Sequence, residues 1–168
     1  WAKRPLVIAD LGAGTGSNVR YLAPRLPEGQ VWRLYDNDER LLHVAKGNCP
    51  VRVDTHFTGL RGFDWALIDD YAMVTASALI DLVSDSWLAY ALEAIRVRRM
   101  PVLFALNYDG RVELTPSDPD DRWVIDLFNA HQRTDKGFGA GLGPLSGARI
   151  ADRLRMLTYE VVSAKSDW

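Results

Sequence analysis

A chain of 168 residues, 48% apolar and 25% charged, can fill the core of one domain and has the charge content of an ordinary folded protein. Its net charge of −2 offers no field toward nucleic acid or anionic lipid, and its single cysteine (Cys49) excludes a disulfide framework or thiolate metal cluster; His43, His56 and His131 lack metal-ligand spacing. No stretch reads as a signal peptide or a membrane span, so the expectation is a cytoplasmic protein with no metal and no nucleic-acid or membrane partner, and of unspecified oligomeric state.

Strand and helix patterns alternate, which predicts an α/β sheet with helices on both faces, residues 1–168 forming one domain. Leu6 to Leu11 is the first strand; it carries the acid Asp10 and breaks into Gly12-Ala13-Gly14-Thr15-Gly16. Ser17 reads as the N-cap of a helix bearing Val19, Tyr21 and Leu22, which Pro24 kinks or ends. Val31 to Tyr35 leads a second strand to Asp36, and Asp38 caps a helix that carries Leu41, Leu42 and Ala45 and stops at Gly47. Val51 to Phe57 alternates as a third strand, and Phe63-Asp64-Trp65 fits either a turn or a short helix.

Ala72 to Leu79 is the fourth strand, with small residues crowding its C-terminal end. A helix from Ser84 or Ser86 carries Trp87, Ala91, Ala94 and Ile95 and ends in Arg96-Val97-Arg98-Arg99, cations that suit a helix C-terminus. Val102 to Leu106 is the fifth strand, running out through Asn107-Tyr108-Asp109-Gly110. Asp118-Pro119, an N-cap followed by proline at the first helical position, opens a helix through Trp123, Leu127 and Phe128. His131 to Pro144 reads HQRTDKGFGAGLGP; a last helix from Ser146 (Ile150, Ala151, Leu154, Leu157) leads to a final strand, Tyr159 to Ala164.

A buried strand that ends in a glycine turn and feeds a helix is a nucleotide-handling unit. The dinucleotide fingerprint needs glycine at the first, third and sixth positions, and Ser17 stands where the third glycine belongs. No Gly-Lys-Ser/Thr follows the turn, which excludes the P-loop. The acid Asp36 lies twenty residues beyond Gly16, at the place where a carboxylate accepts from both ribose hydroxyls of a bound nucleotide. The same acid could instead simply end the strand.

Glycines at alternate positions with an acid two residues before the first, Asp10-x-Gly12-x-Gly14-x-Gly16, resemble motif I of the class I S-adenosylmethionine-dependent methyltransferases. The order of elements is similar to that family's. The resemblance implies a three-layer Rossmann-like sandwich, its sheet mostly parallel in the order 3-2-1-4-5-7-6 with strand seven antiparallel. The first strand begins almost at residue 1 and only one strand follows the last helix, where the family has a preceding helix and two strands. By that comparison the chain is a trimmed piece, or its sheet is one strand short. The resemblance further implies S-adenosylmethionine as cofactor, held by Asp10, Gly12, Ala13, Gly14, Asp36, Asn37, Thr75, Ala76 and Ser77. In that picture Asp10 holds the α-ammonium directly or through water, and Thr75, Ala76 and Ser77 leave room for the sulfonium.

Methyl transfer is an in-line displacement with a neutral thioether leaving, so the protein mainly aligns a nucleophile and excludes water. No particular catalytic residue is demanded, and His131 is the weak candidate for a base. Asn107, Tyr108, His131, Arg133 and Lys136 are the substrate-side candidates, with the glycine-rich loop as a lid. Thr75-Ala76-Ser77-Ala78 lacks the Pro-Pro-Tyr/Phe-type motif of the amino-methyltransferases of nucleic acid and glutamine, so those substrates are not expected, and the first expectation is a small-molecule acceptor. An NAD-dependent oxidoreductase and a catalytically silent cofactor-binding module are the alternatives.

Overall fold

The apolar run after Pro5 forms β1 (Leu6–Leu11), the middle of a sheet whose other strands are β2 (Gln30–Asp36), β3 (Val53–Phe57), β4 (Met73–Ser77) and β5 (Val102–Ala105). The computed structural model describes residues 5–69 and 71–166. All four strand pairings are parallel and the order is β3-β2-β1-β4-β5, so the chain reverses direction across the sheet between β1 and β4. The architecture is α/β and Rossmann-like, a parallel sheet flanked by helices. Two compact units divide the chain after Ser77, Glu93 and Ala105, and α3 (Asp85–Val97) passes from the second unit into the first.

In the first unit, alternate side chains of β1 and β2 (Ile8, Trp32, Leu34) pack with Val19 of α1 (Ser17–Leu22), Ala23, and Leu42 and Ala45 of α2 (Glu39–Asn48). The opposite parity of β2 carries Arg33 and Tyr35. Tyr35 stacks on His56 at 4.8 Å and meets the edge of Phe63 at 5.0 Å; its hydroxyl pairs with that of Tyr71 at 2.9 Å, and Arg33 donates to Tyr71 Oη at 2.7 Å. Buried phenols persist there because each hydroxyl has a partner, and burial pushes the Tyr35 hydroxyl above the ordinary phenol range. The run between β3 and β4 resolves into two 3₁₀ turns, Leu60–Gly62 and Trp65–Ile68, whose aromatics complete this layer. Within the basic cluster at the end of α3, Arg98 donates to the Ala94 carbonyl at 2.8 Å and pairs with Asp69.

The second unit holds α4 (Asp121–Gln132), α5 (Ser146–Met156) and the first turns of α3. Arg149 and Arg153 of α5 both reach Asp85, and the Arg153 guanidinium holds that carboxyl below the usual carboxylate range. The segment 131–144 is anchored rather than loose. Leu142 N donates to Val83 O at 2.9 Å, Gly143 N to Asp81 O at 2.8 Å, and Phe138 meets the edge of Trp87 at 5.5 Å. Among the described residues no helix is long and apolar enough to cross a membrane.

Several sequence expectations need correction. Ser17 is the first helical residue and Gly16, at φ +77°, is the N-cap, because the chain leaves the turn in a left-handed conformation. Gly47 lies inside α2, which ends only at Asn48, before Cys49 and Pro50. The fourth strand is shorter than Ala72 to Leu79, since Ala78 at φ +53° breaks it. Asp118 caps a turn, accepting from Asp120 N at 2.9 Å, so Pro119 precedes the helix that begins at Asp121. Residues 159–166 form no strand: the alternating pattern finds no neighbouring strand, and without a ladder strand propensity has nothing to act on.

Candidate functional site

The glycine turn sits at the C-terminal end of β1, beside the reversal of strand order where open α/β sheets take their ligands. Gly12, Gly14 and Gly16 all have left-handed φ, +66°, +53° and +77°, a conformation that a Cβ strains. Their surroundings differ. A Cβ at Gly16 would lie 2.6 Å from Cys49 Sγ, so this glycine lets α1 approach the end of α2. A Cβ at Gly14 would meet nothing within 4 Å; it would stand in open space above the turn.

The turn is tied to the end of β2. Gly12 N and Ala13 N donate to the Tyr35 carbonyl at 2.8 and 3.2 Å, and Gly14 N donates to Asp36 Oδ2 at 2.8 Å. The other Asp36 oxygen accepts from Asp38 N at 2.9 Å. A carboxylate has about four lone-pair sites, so Asp36 keeps acceptor capacity for a ligand hydroxyl. Asn37 beside it is exposed. The glycine turn and the acid are therefore one hydrogen-bonded piece.

Asp10 lies beneath the turn with no exposed surface. Its Oδ1 accepts from the Asn18 side-chain amide at 2.8 Å, and its Oδ2 has no partner. Burial pushes this carboxyl up to about 7, the Asn18 hydrogen bond pulls it down, and the nearby Asp36 charge adds to the rise. With the carboxylate covered, direct contact with a ligand needs the turn to open or a water to bridge. Thr75 and Ala76 at the end of β4 are also fully buried, and the Thr75 hydroxyl is already satisfied by Leu103 O and Asn18; Ser77 is half-buried. A groove of about 400 Å³ between Ala23, Pro24, Gly29, Gln30, Val51 and Arg52 opens at the N-terminal edge of β2 and β3, away from these acids and glycines.

In the second unit Tyr108 Oη donates to Asn129 Oδ1 at 2.7 Å, and Asn129 Nδ2 donates to the Gly110 carbonyl at 3.2 Å, so α4 fixes the segment that follows β5. Asn107 Oδ1 is buried without a partner. Lys136 Nζ lies 3.1 Å from Nε2 and 3.3 Å from Nδ1 of His131, while Arg133 is exposed. Asp135 organises the glycine run by accepting from Gly137 N and Gly139 N at 2.7 and 2.9 Å.

Solved structures of similar fold were found. The plantazolicin methyltransferase BpumL in complex with S-adenosylhomocysteine superposes with a TM-score of 0.59 at 17% identity, over 94% of this chain and 57% of its own. The same enzyme with a monoazolic desmethylPZN analog and S-adenosylhomocysteine gives 0.58 at 16%, over 94% and 57%. The S-adenosylmethionine-dependent methyltransferase SibL in its apo form gives 0.62 at 19%, over 98% of this chain and 48% of its own. The fold is that of the class I S-adenosylmethionine-dependent methyltransferases. The chain spans about half the length of these structures. No protein-family model and no curated protein sequence matches it.

In this methyltransferase fold the structure brings Gly14 and Asp36 into direct contact and sets Asp10 and Thr75 in adjacent positions on β1 and β4. It pairs His131 with Lys136. Sequence reasoning missed Asn18, which joins Asp10 to Thr75, and Asn129, which holds Tyr108. Asn18 carried a weak signal: an amide at the second helical position behind a glycine turn can reach back to the strand below it. Asn129 carried none, because its partner lies 21 residues away.

Proposed function

We propose that the glycine edge of the first unit binds S-adenosylmethionine and that the protein transfers its methyl group to a small-molecule acceptor. The observation that carries this reading is the hydrogen bond from Gly14 N to Asp36 Oδ2, with open space above Gly14. It joins the backbone surface that would underlie the methionine and ribose to the acid that would accept from the ribose hydroxyls. The presence of S-adenosylhomocysteine in the plantazolicin methyltransferase of like fold supports it. When bound, the cofactor supplies a methyl group already activated by the sulfonium, so a new bond to the acceptor forms as the sulfur–carbon bond breaks. The chain's own residues then have to bind, orient and exclude water. Asp10, Gly12, Ala13, Gly14, Asp36 and Asn37 belong to the cofactor; Thr75, Ala76 and Ser77 shape the end of β4.

Calorimetric titration with S-adenosylhomocysteine and with NAD tests the reading. Binding of the first and not the second is the expected result; the reverse would favour an oxidoreductase. Asp36→Ala should weaken S-adenosylhomocysteine binding by about 1.5–3 kcal/mol, the loss of hydrogen bonds to a charged group. Unchanged affinity in the folded variant would remove Asp36 from the site.

Asn107, Tyr108, His131, Arg133 and Lys136 are proposed to receive the acceptor. Arg133 and Lys136 offer cations to an acceptor carboxylate, and His131, whose ring lies beside the Lys136 ammonium, is the candidate base. Replacing Arg133 and Lys136 together with alanine should leave S-adenosylhomocysteine affinity within about twofold and lower turnover by at least about tenfold, because the pair orients only the acceptor. The acceptor for that assay comes from a screen of the full-length protein with methyl-labelled cofactor. A labelled cofactor bound but transferred to nothing would favour a silent binding module.

A further inference from the structure

Asp10 on β1, Thr75 on β4 and Leu103 on β5 lie in one row across the sheet. The Asn18 amide, on α1, donates to Asp10 Oδ1 at 2.8 Å and to Thr75 Oγ1 at 3.0 Å, which uses both of its hydrogens. The Thr75 hydroxyl passes its own hydrogen to the Leu103 carbonyl at 2.9 Å and has none left for Asp10. Asp10 Oδ2 consequently stays buried and bare, although burying an unpaired carboxylate oxygen is costly. A sheet that needed only a staple here would be better served by a fully satisfied or apolar group. One oxygen tied and one bare is an arrangement that a cation would complete, and because Asp10 has no exposed surface that cation acts through a water or after the glycine turn opens.

We propose that Asn18 is a positioning residue: by tying Asp10 to Thr75 it holds the bare Asp10 oxygen beneath the glycine turn, from where it attracts the α-ammonium of the cofactor through a bridging water or as the turn opens, and makes cofactor capture depend on the ionised carboxylate. This rests on the cofactor reading of the same edge. The titratable groups that face Asp10 are Asp36 at the end of β2, whose charge opposes ionisation, and the Cys49 thiol after α2; Asn18 and Thr75 are neutral. The thiol is itself pushed up by burial and by Asp10, with the Arg20 guanidinium pulling the other way, so it is uncharged near neutrality. Asn18 is the partner that favours the charged carboxylate, and its removal drives the Asp10 titration upward.

The test is S-adenosylhomocysteine affinity between pH 6 and 9 for the full-length wild type, Asn18→Leu, Asp10→Asn and the double variant. In the wild type, affinity falls toward about tenfold per unit below a midpoint near 7. Asn18→Leu keeps the volume without the donor; its midpoint moves up, so affinity drops roughly tenfold at pH 7 and recovers by pH 9. Asn18→Gln, which retains the amide, moves the profile back toward the wild type. Asp10→Asn binds weakly with no pH dependence, and Asn18→Leu adds no slope to it. A uniform loss of affinity at every pH in Asn18→Leu, or an unmoved profile, would make Asn18 a structural staple and overturn the inference alone. Absence of binding to the wild type at any pH overturns the cofactor reading and this inference with it. Should Asn18→Leu not fold, Asn18→Ala at this half-buried position carries the same comparison. NMR titration of the Asp10 carboxyl carbon gives a second readout: its midpoint should fall when S-adenosylhomocysteine is added, and a fixed midpoint overturns the link to the cation.

Discussion

Gly14→Val should abolish S-adenosylhomocysteine binding and leave a folded protein. A Cβ added here meets no protein atom within 4 Å, so on the proposed cofactor reading the valine side chain would enter the space the ligand takes, while the left-handed backbone at φ +53° costs on the order of 1–2 kcal/mol. Gly16→Ala, two residues on, should do the reverse. Its Cβ would stand 2.6 Å from Cys49 Sγ at φ +77°, so strain and overpacking together cost on the order of 2–4 kcal/mol, and the surviving folded fraction should still bind. Calorimetry and denaturant melts on the two variants separate these effects. Normal binding by Gly14→Val would place the ligand elsewhere.

Asp10→Asn should change the pH dependence of stability more than any other single substitution in the first unit. Asp10 titrates at about 7 in the folded chain, against 3.8 for an ordinary aspartate, chiefly because burial disfavours the charge. Between those values the folded state holds a proton that the unfolded state releases. The stability it contributes is full below the unfolded pKa and is lost as pH rises through the folded one, a change of about 4 kcal/mol for a shift of this size. Asparagine cannot ionise, but its amide would stand where Oδ2 has no partner, at a cost of about 1–3 kcal/mol. The variant should therefore be less stable than the wild type at pH 4 and more stable, by about 1–3 kcal/mol, at pH 9. Asp85, held low by Arg153, and His56, pushed down by burial, also titrate, but they are common to both proteins and cancel in the difference. Denaturant unfolding at the two pH values checks the crossing; parallel curves would show that Asp10 carries its charge at both.

The five strands and the α/β class were legible in the sequence because their signals are local. An apolar run of strand length, an acid at its end and a glycine turn each act within a few residues, as at Leu6–Leu11, and the Asp38 cap works the same way through Arg40 N and Leu41 N. The signals that misled were local too. Ser17 has the chemistry of an N-cap, yet Gly16 takes that place because the turn must pass through a left-handed residue. Gly47 has the chemistry of a stop, yet α2 continues to Asn48 before Cys49 and Pro50. The run Tyr159–Ala164 has the alternation of a strand, but a strand exists only where a ladder receives it.

At the candidate site, the sequence by itself determined the residue types and their spacing: glycines at 12, 14 and 16, acids at 10 and 36, small residues ending β4. Only the tertiary structure decided how they are joined. Gly14 meets Asp36 across 22 residues, and Asn18 meets Thr75 across 57, because parallel pairing of β1 with β2 and β4 brings three distant strand ends to one edge. The same packing leaves one oxygen of Asp10 bare and buried, with a carboxyl that titrates near 7. Burial and hydrogen-bond satisfaction are properties of the assembled environment, so no residue carries them in its own position along the chain.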